Sequence, residues 1–224
     1  MFRITVLAAA LLAAGAARAD NVALWDFNDR NAVVDAGRGV LSLIGGATHP
    51  GFNAGSPADA GAGNVAFQTT GYPAQGTADR SAGVRFDVST VGYQDLIVSF
   101  DLRNSNTSSR SVAFQYTLDG SSFHELGTVA ATAGDQWNSR SFDLSGVAGA
   151  GNNANFGFRV VTAFEDGGYA AARSTSNYGT TGTLRFDLVA VNGVAVSAVP
   201  EASSYGMLLA GLGMSGLIVR RRMG

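Results

Sequence analysis

Between residues 20 and 199 the apolar residues recur at every second position. Leu96, Val98, Phe100 and Leu102 alternate with Ile97, Ser99 and Asp101. Val112, Phe114, Tyr116 and Leu118 alternate with Ala113, Gln115 and Thr117, and the pattern returns at Phe156, Phe158 and Val160 and at Leu184, Phe186 and Leu188. A period of two puts one side of the chain on a core and the other toward water, which predicts β-strands. Shorter runs at 22–27, 65–68, 84–88, 125–130 and 139–144 predict further strands. No window of helical length carries a 3.6-residue apolar stripe. Asp119-Gly120 and Asn192-Gly193 fall between such runs and predict hairpin turns. The Gly-rich stretches 45–64, 145–153 and 166–182 read as loops. Nine or ten short strands joined this way predict an all-β, two-sheet antiparallel β-sandwich, jelly-roll-like, over residues 20–198.

Two apolar runs break the alternation, one at each end. Arg3 precedes an uncharged run over 4–14, and Ala17-Arg18-Ala19 follows the small-x-small rule. This predicts a secretory signal peptide over 1–19 with a helical apolar region, cut between Ala19 and Asp20. The other run, 205–219, is shorter than the roughly 20 residues that cross a bilayer core of about 30 Å, but predicts a short transmembrane helix with snorkelling flanks. Arg220, Arg221 and Arg222 follow it directly. Positive charge stays in the cytoplasm, so both ends predict a domain outside and arginines inside.

The order of Val199-Pro200-Glu201, a short apolar helix and a terminal Arg cluster resembles the PEP-CTERM sorting signal, here over 199–224. Pro200 and Glu201 match its motif, while Ala202 stands where that family carries a second Pro. The resemblance implies an exosortase-type membrane protease as partner, with cleavage near Pro200-Glu201. It also implies transient anchoring in the inner membrane of a Gram-negative cell, then a place at the cell surface or outside it, associated with exopolysaccharide or biofilm. Pro200 itself biases Val199 toward extended backbone, the form a protease active site binds. In the middle of the chain, residues 116–123, residues 184–193 and Leu24-Trp25-Asp26-Phe27 resemble galactose-binding-like or carbohydrate-binding-module jelly rolls, which implies binding of a sugar or surface polymer.

Composition narrows the partners. All 15 basic residues are Arg, and there is no Cys, hence no disulfide and no thiolate metal site. Residues 20–199 carry 10 Arg against 16 acids, a net charge of −6 that repels phosphate backbones and excludes nucleic acid as the expected partner. Catalytic constellations are scarce. His49 and His124 read as surface residues, no Gly-x-Ser-x-Gly or His-Glu-x-x-His occurs, and only Glu125 and Glu165 accompany the Asp residues of the domain. Gly211, Gly213 and Gly216 fit a dinucleotide-binding spacing but lie in the apolar tail with no strand before them. The expectation is a non-catalytic protein, with a polysaccharide hydrolase built on paired carboxylates as an alternative. Exported jelly rolls often hold a structural Ca²⁺ between first and last strands. Asp26 and Asp187 occupy such places, with Asn28 and Asp29 near Asp26, and solvated strand-end acids are the plainer reading. A sugar site needs aromatic platforms beside hydrogen-bonding groups, and Tyr169, Arg173 and Tyr178 in the long loop, with Tyr72 and Trp137, are the candidates. The leading expectation is an adhesion or exopolysaccharide-associating domain. A dedicated carbohydrate-binding module with a defined glycan pocket is its rival.

Overall fold

A computed structural model describes residues 19–196. The predicted signal helix, the transmembrane helix, Pro200, Glu201 and the three terminal arginines lie outside the described residues. Twelve strands and no helix occur within them: β1 Ala19–Trp25, β2 Ala36–Gly37, β3 Val40–Ile44, β4 Thr48–Ala54, β5 Val65–Thr70, β6 Gly83–Asp87, β7 Tyr93–Asn104, β8 Ser111–Thr117, β9 Phe123–Ala130, β10 Trp137–Asp143, β11 Gly157–Ala163 and β12 Leu184–Ala195. They form two antiparallel sheets packed as a sandwich. One runs β10-β7-β12-β1-β2, with β5 also on β12 and β4 on β5, and the other runs β3-β6-β11-β8-β9.

The alternation read from the sequence is an alternation of burial in the first half of β7, while β8 and β11 are buried on both faces. Val98, Phe100 and Leu102 are buried, while Ile97 between them is 41% exposed. Eight large aromatic side chains are fully buried, among them Trp25, Phe86, Phe114 and Phe158. Phe86 stacks on Phe158 at 4.7 Å, Phe158 lies 5.5 Å from Phe114, and Phe114 stacks on Phe142 at 4.1 Å, so one chain of rings ties the sheets together. Each such side chain contributes about 3 kcal/mol by leaving water.

Strand β12 organises the larger sheet. One edge pairs with β7 over most of its length. The other pairs first with β5, through Leu184, Arg185 and Phe186, and then with β1 from Val189 to Val194. Where the two partners part, the ladder slips between Asp187 and Ala190, and Leu188 takes a φ of 47°. The 55–64 loop drops into that gap.

Two predicted features differ. The Asn192-Gly193 hairpin does not form, because β12 runs straight through it, with Asn192 opposite Asn21 and Gly193 opposite Asp20. Gly193 is there for close packing. A Cβ would lie 2.8 Å from Leu96 Cδ2, 3.1 Å from Tyr93 Cβ and 3.2 Å from Val22 Cγ2. The stretch 45–64, read as a loop, contains β4. Its Pro50 and Gly51 mask it in the sequence and are tolerated because β4 pairs only with β5, with a register slip between Thr48 and Gly51. The Asp119-Gly120 turn forms as predicted between β8 and β9, with Gly120 at φ 76°.

Candidate functional site

The long 164–183 loop packs against the 71–82 loop at one end of the sandwich. Its tyrosines help hold it there. Tyr169 is 3% exposed, its hydroxyl lies 3.0 Å from Ala78 O, and its backbone is clasped by Gln75, which donates from Nε2 to Tyr169 O and accepts from Tyr169 N, both at 2.9 Å. Tyr178 stacks on Tyr169 at 4.6 Å and donates to Pro73 O at 2.8 Å. Tyr72 is buried beside Thr69 Oγ1, at 2.5 Å. Burial raises all three phenol pKa values. Tyr72 and Tyr169 therefore have a structural role, and Tyr169 also lines the second of the grooves below. Arg173 is exposed.

Two open grooves adjoin along this rim, sharing Arg110 and Ser174. One, of about 410 Å³, is lined by Asn106, Thr132, Asp135 and Arg173, and the other, of about 530 Å³, by Gln75, Asn177 and Tyr178. Arg110 is fixed by an ion pair to Glu165, which also accepts from Ser111.

From the first groove the polar lining continues onto the outer face of the larger sheet. Asp135 accepts from Arg103 Nη2 at 2.6 Å and from Asn106 Nδ2 at 2.7 Å, joining the two surfaces. Trp137 on β10, Arg103 on β7, Arg185 on β12 and Gln68 on β5 are directly opposite one another in register. Directly opposed residues share a face, and four strands span about 14 Å. The neighbours of Trp137 along β10 confirm the direction, since Asn138 and Phe142 are buried while Ser139 and Ser141 are exposed. Arg185 is held by Gln68 Oε1 at 2.9 Å. A half-buried indole thus stands at the end of a row of planar polar groups. Sequence reasoning found Trp137 but missed Arg103, Arg185 and Gln68, which are brought together only by strand register.

The two predicted calcium ligands have different hydrogen-bond partners, while Asn28 donates to Asp59 Oδ2 at 2.7 Å beside Asp187. Asp26 accepts from Asn28 N and lies among Asp29 and Asp35, and Asp35 accepts from Asp26 N at 2.8 Å. Asp187 is fully buried under the 55–64 loop among Asp59 and Asp101. It accepts from Ser56 N at 2.6 Å and Leu188 N at 2.8 Å, and Ser56 Oγ donates to Asp101. Burial, with the nearby acids, pushes its carboxyl up to about 6 despite those two bonds. Next to it is an orphan acceptor. Asn64 spends its amide N–H groups on Ser56 O and Asp59 O, which leaves Asn64 Oδ1 buried with no partner. A Cβ placed on Gly55 would meet both Asn64 Oδ1 and Asp187 Oδ2, so the two oxygens converge. Among the described residues no group of three or more His, Asp or Glu is arranged to hold a metal ion. Any ion here rests on amide and backbone oxygens as well as Asp187.

Among the described residues neither histidine is hydrogen-bonded to a hydroxyl or a carboxylate. His49, read as an exposed loop residue, lies in β4 with its ring flat on Phe67 at 4.1 Å and Nδ1 at 2.7 Å from Gln68 O. His124 is exposed beside Tyr116. Both glutamates of the domain are engaged by arginines, Glu165 by Arg110 and Glu125 by Arg80 at 2.7 Å. Partial burial opposes ionisation of Glu125, but its bonds to Arg80 and Thr128 outweigh it and hold the carboxyl below its usual range. A glycosidase acid needs the opposite shift.

The fold is that of carbohydrate-binding modules. It aligns with the N-terminal CBM22-1-CBM22-2 tandem domain of Paenibacillus barcinonensis Xyn10C at a TM-score of 0.50 and 15% identity, over 86% of this chain and 53% of that one, so this chain spans about half its length. The CBM22-1-GH10 modules of Clostridium thermocellum Xyn10B, complexed with xylohexaose, align at 0.48 and 12% identity over 77% and 28% of the chains. The family 11 module of Clostridium thermocellum, in complex with a β-1,3-1,4-mixed-linked tetrasaccharide, aligns at 0.43 and 13% over 82% and 100%. None of the curated proteins matches the chain. Residues 198–222 match the PEP-CTERM protein-sorting motif, which implies processing by an exosortase and export to the cell surface. The chain therefore carries a PEP-CTERM sorting motif behind a β-sandwich with the fold of carbohydrate-binding modules.

Proposed function

We propose that the protein is a non-catalytic, surface-delivered glycan-binding module that associates the cell with exopolysaccharide, after release from transient anchoring in the inner membrane. The observation that carries this is the in-register row Trp137, Arg103, Arg185 and Gln68, running into the groove at Asn106 and Arg173. Indole faces stack on the apolar face of a pyranose, and guanidinium and amide groups bond its hydroxyls. A row of about 14 Å accommodates roughly three sugar units at one per strand spacing. The engagement of Glu125 and Glu165 by arginines supports binding without hydrolysis. The test is a glycan array with the mature protein, followed by calorimetry on the best glycan. Trp137→Ala and Arg103→Ala are each expected to weaken binding about 10- to 100-fold, the cost of one stacked ring or one bonded guanidinium. Unchanged affinity in both variants, or no selective glycan on the array, refutes the reading.

A second element of this reading is a structural Ca²⁺ on Asp187 and Asn64 rather than on Asp26. The unpartnered Asn64 Oδ1 converging on a buried carboxylate supports it, since a hard cation satisfies both oxygens.

A further inference from the structure

The outer face of the five-stranded sheet carries a separate constellation. Arg85 on β6, Arg159 on β11, Gln115 on β8 and Glu125 on β9 stand opposite one another in register. Direct cross-strand neighbours have Cβ atoms about 5 Å apart, so the fold forces two guanidinium groups side by side. Both lie over the Phe123 ring, with Arg159 Cζ 4.0 Å and Arg85 Cζ 5.2 Å from its centroid.

The charges around them are unevenly matched. Arg85 holds Asp87 through Nη2 at 2.6 Å and Nε at 3.0 Å, and donates to Gly120 O at 2.7 Å. Glu125 is taken by Arg80, which reaches across from the loop before β6. Arg159 donates through Nε to Gln115 Oε1 at 2.7 Å, and among the described residues it has no carboxylate partner and no bond from its Nη groups. Burial first, and the charge of Arg85 second, lower its affinity for its own proton. This is a half-buried cation, held in a fixed plane and lacking a counter-ion.

We propose that the Nη edge of Arg159 binds a carboxylate carried on a sugar, the uronate unit of an acidic polysaccharide. A guanidinium fork and a planar carboxylate match in a two-bond pair. Phe123 fixes the plane of the fork and Gln115 its rotation. The domain's net charge of −6 opposes general uptake of polyanions, and screening over about 8 Å in physiological salt leaves recognition to this local geometry. A peptide carboxylate offers the same group, but the surface-sorting motif and the carbohydrate-binding-module fold favour a polysaccharide. The site lies on the sheet opposite Trp137 and does not depend on the reading of that face.

The test is calorimetry on the full chain in detergent micelles, with tetragalacturonate, its methyl ester, neutral galactotetraose and a glutamate tetrapeptide. Only tetragalacturonate is expected to bind. Arg159→Ala is expected to weaken it about tenfold or more, Arg159→Lys to restore part of the loss, and Trp137→Ala to change nothing. Arg159→Ala removes no ion pair, so its melting temperature serves as the folding control. Equal binding of the ester or the peptide, full affinity in Arg159→Ala, or no binding of tetragalacturonate overturns the proposal.

Discussion

Asp187 makes the stability of the sandwich depend on pH in an unusual direction. Its carboxyl titrates near 6 in the fold, against an ordinary value of 3.8. Between those values the folded chain holds a proton that the unfolded chain has released. For a raised carboxyl the favourable contribution is complete below about pH 4 and is lost as pH rises through 6. At about 1.4 kcal/mol for each tenfold change in proton affinity, ionised Asp187 costs the fold about 3 kcal/mol at neutral pH, and about 2 kcal/mol of this is expressed between pH 4.5 and 7.5. The assay is urea unfolding of the mature protein in EDTA across that range, for the wild type and for Asp187→Asn, which cannot titrate. Carboxyls such as Asp119 and Asp143, held low by bonds to backbone and side-chain groups, act with the opposite sign, so the informative quantity is the difference between the two proteins. The wild type is expected to gain about 2 kcal/mol relative to the variant on acidification. Parallel curves would refute the reasoning. The same titration tests calcium. A cation between Asp187 and Asn64 needs the ionised carboxylate, so millimolar Ca²⁺ should stabilise the wild type at pH 7.5, by about 2.7 kcal/mol at 100 times the dissociation constant. It should do nothing at pH 4.5 or in Asp187→Asn. Equal effects of Ca²⁺ in all three cases would place the ion elsewhere.

Three further outcomes are expected. Phe158→Ala, which breaks the ring chain between Phe86 and Phe114, should cost about 3–5 kcal/mol in chemical unfolding, far more than a surface change such as Ser141→Ala. Gly83→Ala should prevent folding or split β6 from β11, because the added Cβ would lie 1.9 Å from the backbone oxygen of Val160; a circular dichroism spectrum and melt like those of the wild type would contradict this. A Pro200→Ala, Glu201→Ala double variant should keep its C-terminal arginines and stay in the membrane fraction, while the native species loses them and leaves it. Intact mass and fractionation decide between the two, and retention of the arginines by both would mean that the tail is a plain anchor.

The sandwich was legible because its strands obey a simple rule. The runs around Leu96, Val112, Phe156 and Leu184 identify strands by period, but the period alone does not give burial: β8 and β11 are buried on both faces, and in β12 Asp187 is buried while Leu188 is half-buried. What escaped depended on neighbours. Val40–Ile44 carries apolar residues on both faces, so its alternation is blurred, and β4 hides behind Pro50 and Gly51 at an edge where missing donors do no harm. Asn192-Gly193 has the chemistry of a turn, but the crowding of Leu96, Tyr93 and Val22 uses Gly193 for its missing side chain instead.

The candidate sites were hidden for a different reason. Tyr169, Arg173 and Tyr178 were conspicuous because they cluster in one loop, yet Tyr169 proved to be a rivet for that loop. The groups that stand open come from distant strands. Arg103 and Arg185 are brought opposite each other only by the β7–β12 register, as Arg85 and Arg159 are by β6–β11. A slip of one residue would turn every one of them inward and replace it with a core residue, so the hydrophobic pattern that sets register also determines which polar side chains meet. The composition suits this arrangement. With Arg as the only strongly basic residue, the outward cations at Arg85, Arg103, Arg159 and Arg185 are planar forks on strands, which hold their orientation and match a ligand's oxygens in pairs. On the larger sheet Arg103 is neutralised by Asp135 and Arg185 is bonded to Gln68, which leaves a face suited to hydroxyls. On the smaller sheet Arg159 is left without an acid, which suits a carboxylate. Arg185 and Arg159 are each held through Nε by a glutamine, so the two faces differ in what surrounds that pair: Arg185 also donates from Nη1 to Ala54 O and stands next to the Arg103–Asp135 pair, whereas the Nη edge of Arg159 is unbonded among the described residues.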